Sequence, residues 1–169
     1  VPKVVHTILG RPLIRHVLVA TESINAEQRI VVVGAKGEEV KKEVANYNDA
    51  IATVLQERRG GTGHAVRIAL EGALASNERE GDESTVVVVV AGDVPLLTGQ
   101  TLERLINACE VSDVGAAVLT ADVDDPHGYG RVIRDSSNGI LKIVAAPEAP
   151  QGRFQAMDHI ATATDGRNR

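Results

Sequence analysis

Apolar residues recur along the chain at two alternating spacings. Leu13, Ile14, Val17, Leu18 and Ala20 follow Pro12 at helical intervals, which predicts a helix over 12–23. The β-branched run Arg29-Ile-Val-Val-Val33, closed by Gly34, predicts a buried strand. A polar helix is expected over 38–46, with Glu38 and Glu39 paired to Lys42. A strand over 50–56 follows, then a helix over 62–75 with Val66, Ile68, Ala69 and Ala73 inward, then a charged loop over 77–83. The run Thr85-Val-Val-Val-Val-Val-Ala91 does not alternate, so both faces of that strand are expected to be covered. A helix over 101–109, a strand over 114–121 and a hairpin turning at Asn138-Gly139 complete the pattern. Alternation of strand and helix predicts an α/β fold, a mostly parallel sheet with helices on both faces.

After Val144 the pattern weakens. Two prolines interrupt 145–152, and 154–169 lacks clear periodicity. The expected organisation is a domain over 1–144 and a divergent, poorly packed tail over 145–169. The chain opens Val-Pro-Lys-Val-Val-His rather than on Met, and an N-terminal truncation is expected.

Composition narrows the function classes. The net charge of -5 argues against a general nucleic-acid binder. Aromatics make up 2% of the chain (Tyr47, Tyr129 and Phe154), too few for base-stacking platforms. No apolar run reaches the ~18 residues of a membrane span. Cys109 is the one cysteine, so a Cys-based zinc site is excluded and a cytoplasmic setting is expected. Its place on an apolar helix face reads as core.

Open α/β sheets bind ligands at the carboxyl ends of their strands, and three segments lie at such places. Gln56-Glu-Arg-Arg-Gly-Gly-Thr-Gly-His-Ala65 joins a strand to a helix. Its glycines allow close backbone approach, the helix N-terminus favours anions, and the Gln56 amide suits a base edge. A glycine turn with Thr62 as N-cap explains the same residues equally well. His64 is expected to pack at the helix start. Ala91-Gly-Asp-Val-Pro-Leu-Leu97 follows the valine strand, where Asp93 is placed to hold a divalent cation beside phosphates. The bland alternative is an Asp that caps the next helix or stabilises the turn before Pro95. Asp124-Asp-Pro-His-Gly-Tyr-Gly-Arg131 offers Gly128 and Gly130 for close approach, while its acids suit a turn. Lys3 is a candidate phosphate contact, although a lone lysine is usually solvated. The five histidines show no HxxxH or HxH metal spacing. There is no Walker A motif, no GxGxxG after a first strand and no GxSxG elbow.

In this order, Pro2-Lys-Val-Val-His6, Gln56-x4-Gly-Thr-Gly-His-Ala65, Gly92-Asp-Val-Pro-Leu-Leu97 and Asp124-Asp-Pro-x-Gly-Tyr-Gly-Arg131 resemble the pyrophosphorylase domain of a bacterial family. Its members are the bifunctional N-acetylglucosamine-1-phosphate uridylyltransferase/glucosamine-1-phosphate acetyltransferases, GlmU. The match covers roughly 1–144. The resemblance implies a Rossmann-like nucleotidyltransferase fold lacking its first strand and glycine-rich phosphate loop. It implies Mg2+-dependent transfer of UMP from UTP to N-acetylglucosamine 1-phosphate, on the route to peptidoglycan and lipopolysaccharide. Lys3 would contact the nucleotide phosphates. Gln56 and Gly61 would recognise uracil, with Thr62 beside the nucleoside. Ala91, Gly92 and Asp93 would line the site, Asp93 as the metal ligand, and Gly130 would touch the sugar.

Departures from the family pattern stand beside the match. Ala145 occupies the place of a sugar-binding glutamate, and the asparagines that follow in the family have no counterpart in 145–169. The hexapeptide repeats through which family members largely trimerise are absent from this sequence. A weakly active or inactive fragment is therefore expected. Two other readings fit: a non-catalytic nucleotide-binding remnant, or a nucleotidyltransferase for another sugar phosphate.

Overall fold

The computed structural model describes residues 1–58, 60–76, 85–110, 115–125, 127–137, 139–144, 155–157 and 161–165. A 3-10 turn at Lys3–Val5 leads into a small hairpin, β1 (Thr7–Ile8) and β2 (Arg11–Pro12). Then come α1 (Leu13–Ala20), β3 (Ile30–Gly34), α2 (Glu38–Tyr47), β4 (Ala52–Gln56), α3 (Gly61–Ser76), β5 (Val86–Val90) and α4 (Gly99–Glu110). The remaining strands are β6 (Ala116–Val118), β7 (Gly130–Arg134), β8 (Ile140–Val144), β9 (Gln155–Met157) and β10 (Ala161–Asp165). Helices and strands alternate from α1 to β6, as the apolar spacing predicts, and the fold is α/β.

β3 and β4 pair in parallel, Ile30 to Ala52 through Gly34 to Gln56. β5 and β6 each pair antiparallel with β10, which lies between them, so β5 and β6 run in the same direction. The valine strand therefore takes an antiparallel neighbour. Its residues are half-buried throughout rather than covered on both faces. β7 pairs antiparallel with β8 on one side and β9 on the other. Two stretches of the expected tail, 155–157 and 161–165, are thus paired strands, because their backbones complete ladders that β5, β6 and β7 leave open. The rest of 145–169, with Ala145, lies outside the described residues, as does the whole of the expected 77–83 loop.

α1 ties the two halves of the core together. Ile14 and Leu18 pack with Val33, Val40, Val44 and Ile51. Ala20 packs with Leu102, Leu105 and Cys109, under Val86, Val88 and Val90. Cys109 is fully buried, as its place on the helix predicts. Full burial of one such leucine, Leu102, stabilises the fold by roughly 1.5–3 kcal/mol.

Several local expectations shift by a few residues. α4 begins at Gly99, because Thr98 Oγ1 accepts from Thr101 N at 3.2 Å and caps it. Glu38 pairs with Lys41 at 2.9 Å, three residues on rather than four. β6 is shorter than the 114–121 strand expected, and Val114 lies outside the described residues. The hairpin loop is organised by Asp135, whose carboxylate accepts from Ser137 N, Ser137 Oγ and Gly139 N at 2.7–2.9 Å. Asn138 lies outside the described residues.

Candidate functional site

Two clusters form just past the carboxyl ends of β4 and β5. The first joins Lys3 to Asp93. Gly92 makes this approach feasible: a Cβ there would lie 3.1 Å from Ile14 Cδ1 and 3.3 Å from Val4 Cγ1. With glycine at 92, the chain carrying Lys3 and Val4 packs directly on the β5–α4 loop. Lys3 Nζ then donates to Asp93 Oδ2 at 2.8 Å. Lys3 is 77% exposed and Asp93 33%, so the pair adds little stability. It concentrates an ammonium and a carboxylate at one point on the surface. Asp93 does not cap α4, since Thr98 does.

The second cluster is built on the β4–α3 connection. Gln56, the last residue of β4, donates from Nε2 to Gly61 O at 3.2 Å and contacts His64 Nδ1 at 3.0 Å. Gly61 has φ +81°, a left-handed backbone that favours glycine. α3 starts at Gly61, so Thr62 sits inside the first turn rather than at the N-cap. Thr62 itself is exposed. His64, expected merely to pack, hydrogen-bonds the residue that the resemblance assigns to the base. Spacing gives no signal for that, because the contact depends on the turn between residues 56 and 64.

The third segment folds on itself. Asp125 Oδ1 accepts from His127 N at 3.0 Å, the turn use expected of these acids. Gly128 has φ +83°. Arg131 is buried, and its guanidinium donates to the carbonyls of Tyr129 and Gly130. It therefore braces the loop that leads into Gly130, a role the motif alone does not reveal. Gly130 opens β7, and no described hydrogen bond joins it to Lys3, Gln56 or Asp93. Ala91 and Gly92 are half-buried beside Asp93.

Asp93 is the carboxylate of this cluster that a divalent cation could use. Among the described residues no three His, Cys, Asp or Glu side chains group together. Magnesium ordinarily takes one or two carboxylates and completes its shell with phosphate and water oxygens. The single carboxylate of Asp93, with Oδ1 outside its ion pair, fits that mode and not an all-protein cage.

Residues 1–157 match the MobA-like NTP transferase domain. The chain belongs to that family. Among curated relatives, the bifunctional protein GlmU of Streptomyces avermitilis is 39% identical over 169 residues, covering 98% of this chain and 34% of that protein. GlmU of Thermobifida fusca is 40% identical over 159 residues, covering 94% of this chain and 32% of that protein. The resemblance to the GlmU pyrophosphorylase domain therefore holds, and it extends past Val144. This NTP transferase chain spans about a third of the length of those relatives. HddC from Yersinia pseudotuberculosis has a similar fold, with a TM-score of 0.71, 18% identity and coverage of 99% of this chain and 68% of that one. A second structure of HddC, complexed with GMP-PN, aligns with a TM-score of 0.69. No helix among the described residues is long and apolar enough to cross a membrane.

Proposed function

We propose that this NTP transferase domain carries out transfer of UMP from UTP to N-acetylglucosamine 1-phosphate, giving UDP-N-acetylglucosamine and pyrophosphate. The Lys3–Asp93 pair at 2.8 Å is the observation that carries the reading, because it puts a cation and a carboxylate together where a strand ends. Similarity to GlmU proteins supports the reading, and the substrates named are those the motif resemblance implies. A cytoplasmic setting goes with this reading.

A phosphate oxygen of the sugar phosphate attacks the α-phosphorus of UTP. One P–O bond forms, the bond from the α-phosphorus to the bridging oxygen breaks, and pyrophosphate departs with the electron pair. Lys3 neutralises charge on the triphosphate, and positioning does most of the remaining work. Gln56 and the Gly61 backbone address the base, Thr62 lies beside the nucleoside, Ala91 and Gly92 line the floor, and Gly130 meets the sugar. Asp93 would hold Mg2+, which when bound offsets negative charge on the phosphates. No protein nucleophile is needed.

The test is pyrophosphate release by the purified full-length protein from UTP, N-acetylglucosamine 1-phosphate and Mg2+. Turnover that requires all three is expected of the protein that carries this domain, and weak or no turnover of residues 1–169 alone. Equal turnover with CTP or dTTP, or no turnover with UTP, would overturn the assignment. Retention of the sugar phosphate requirement with a different sugar would redirect it to another nucleotidyltransferase.

A further inference from the structure

The hydrogen bonds around Gln56 determine which way its amide faces. Gly61 O is a carbonyl and can only accept, so the amide nitrogen is the atom at 3.2 Å from it. The same nitrogen lies 3.0 Å from His64 Nδ1. Its second hydrogen is therefore donated to Nδ1, which must be unprotonated, with the ring proton on Nε2. Both amide hydrogens are then committed. Oε1 is left as an acceptor, and no donor of the described residues reaches it. The ring is itself held in place: a Cβ at Gly60 would lie 2.7 Å from His64 Cγ and 2.8 Å from Nδ1. Only a residue without a side chain at 60 lets the imidazole rest on the backbone there.

We infer that His64 is a specificity-positioning residue: by accepting the second amide hydrogen it locks Gln56 with Oε1 outward, so the site selects a base that offers a ring N–H. Uracil has an N–H at N3. Cytosine has a lone pair at the same place, which faces Oε1 unfavourably. Without the imidazole acceptor one anchor remains, at Gly61 O, and the amide is freer to turn its N–H outward toward cytosine. The inference rests on the reading that this site takes a nucleotide, and it adds the group that sets base choice.

Two measurements on the full-length protein test it. The first is kcat/KM with UTP and with CTP at fixed N-acetylglucosamine 1-phosphate. His64→Leu is expected to lower the UTP/CTP ratio about tenfold, mainly through a raised KM for UTP, at little change in kcat. His64→Asn, whose Oδ1 can stand in for Nδ1 as acceptor, is expected to restore the ratio. The second is the imidazole tautomer, read from ring nitrogen shifts in 15N-labelled protein without nucleotide. A protonated Nε2 and bare Nδ1 are expected, and a proton on Nδ1 overturns the lock. Wild-type activity with an unchanged ratio in His64→Leu overturns the inference and leaves the nucleotidyltransferase reading standing. Failure of the wild type to transfer from any nucleoside triphosphate overturns both.

Discussion

Lys3 Nζ lies 2.8 Å from Asp93 Oδ2, although 90 residues separate them in the chain. The pair exists because α1 packs Ile14 against Gly92 and draws the preceding segment onto the end of β5. Its consequence is electrostatic: each group holds the other where phosphate charge would arrive. If the site transfers a nucleotidyl group, Asp93→Ala should lower kcat/KM by about 100-fold or more, and Lys3→Met by a similar order. Neither should shift the urea midpoint much, since an exposed pair contributes at most about 1 kcal/mol. Pyrophosphate release and urea melts on both variants check the two halves of this expectation.

Gly92→Ala would test the packing that allows the pair. The new methyl would meet Ile14 at 3.1 Å and Val4 at 3.3 Å, both inside ordinary contact. A loss of about 1 kcal/mol is expected as these side chains shift. Unlike Asp93→Ala, this variant should lose stability and activity together, as read by denaturation and by pyrophosphate release.

Gly60→Ala should act on the second cluster. Its methyl would overlap the His64 ring at 2.7 Å, so the imidazole must leave its place beside Gln56. The expected result is a changed environment for the His64 ring nitrogens in labelled protein. An unaltered spectrum would show that the backbone gives way instead.

Leu102 is fully buried between α1 and the valine strand. Leu102→Ala should cost about 2–5 kcal/mol, the lost transfer energy plus the residual cavity. The urea midpoint measures it.

Asp135 supplies a pH dependence. The Ser137 hydroxyl, followed by the Gly139 and Ser137 backbone N–H groups, holds its carboxyl below the usual value of 3.8. The folded state therefore binds this proton less readily than the unfolded one. Stability from this group is present above pH 3.8 and fades as pH falls through the depressed folded value. Asp135→Asn should lower the unfolding midpoint at neutral pH. The gap between wild type and variant should narrow in the acid range, as followed by thermal melts against pH.

What the chain alone determined were the features that depend on near neighbours. Apolar spacing placed α1, α2, α3, α4 and the strands from β3 to β8, because 3.6-residue and two-residue periods are set within a turn or a pleat; the short β1–β2 hairpin, which takes in Pro12, it did not announce. Gln56, Gly92 and Asp93 were legible as candidate site residues because strand ends and glycines mark places where a backbone can meet a ligand. Tertiary structure decided what depends on distant partners. β5 looked like the middle of a parallel sheet, yet its ladder runs antiparallel to β10, a pairing that weak periodicity in 161–165 did not announce. His64 read as packing until the turn at Gly60 and Gly61 brought its Nδ1 to the Gln56 amide. Lys3 read as a lone lysine until α1 carried it to Asp93. Composition and spacing record which groups a chain owns. Which of them meet is settled by the packing of elements against one another, and no local pattern encodes that.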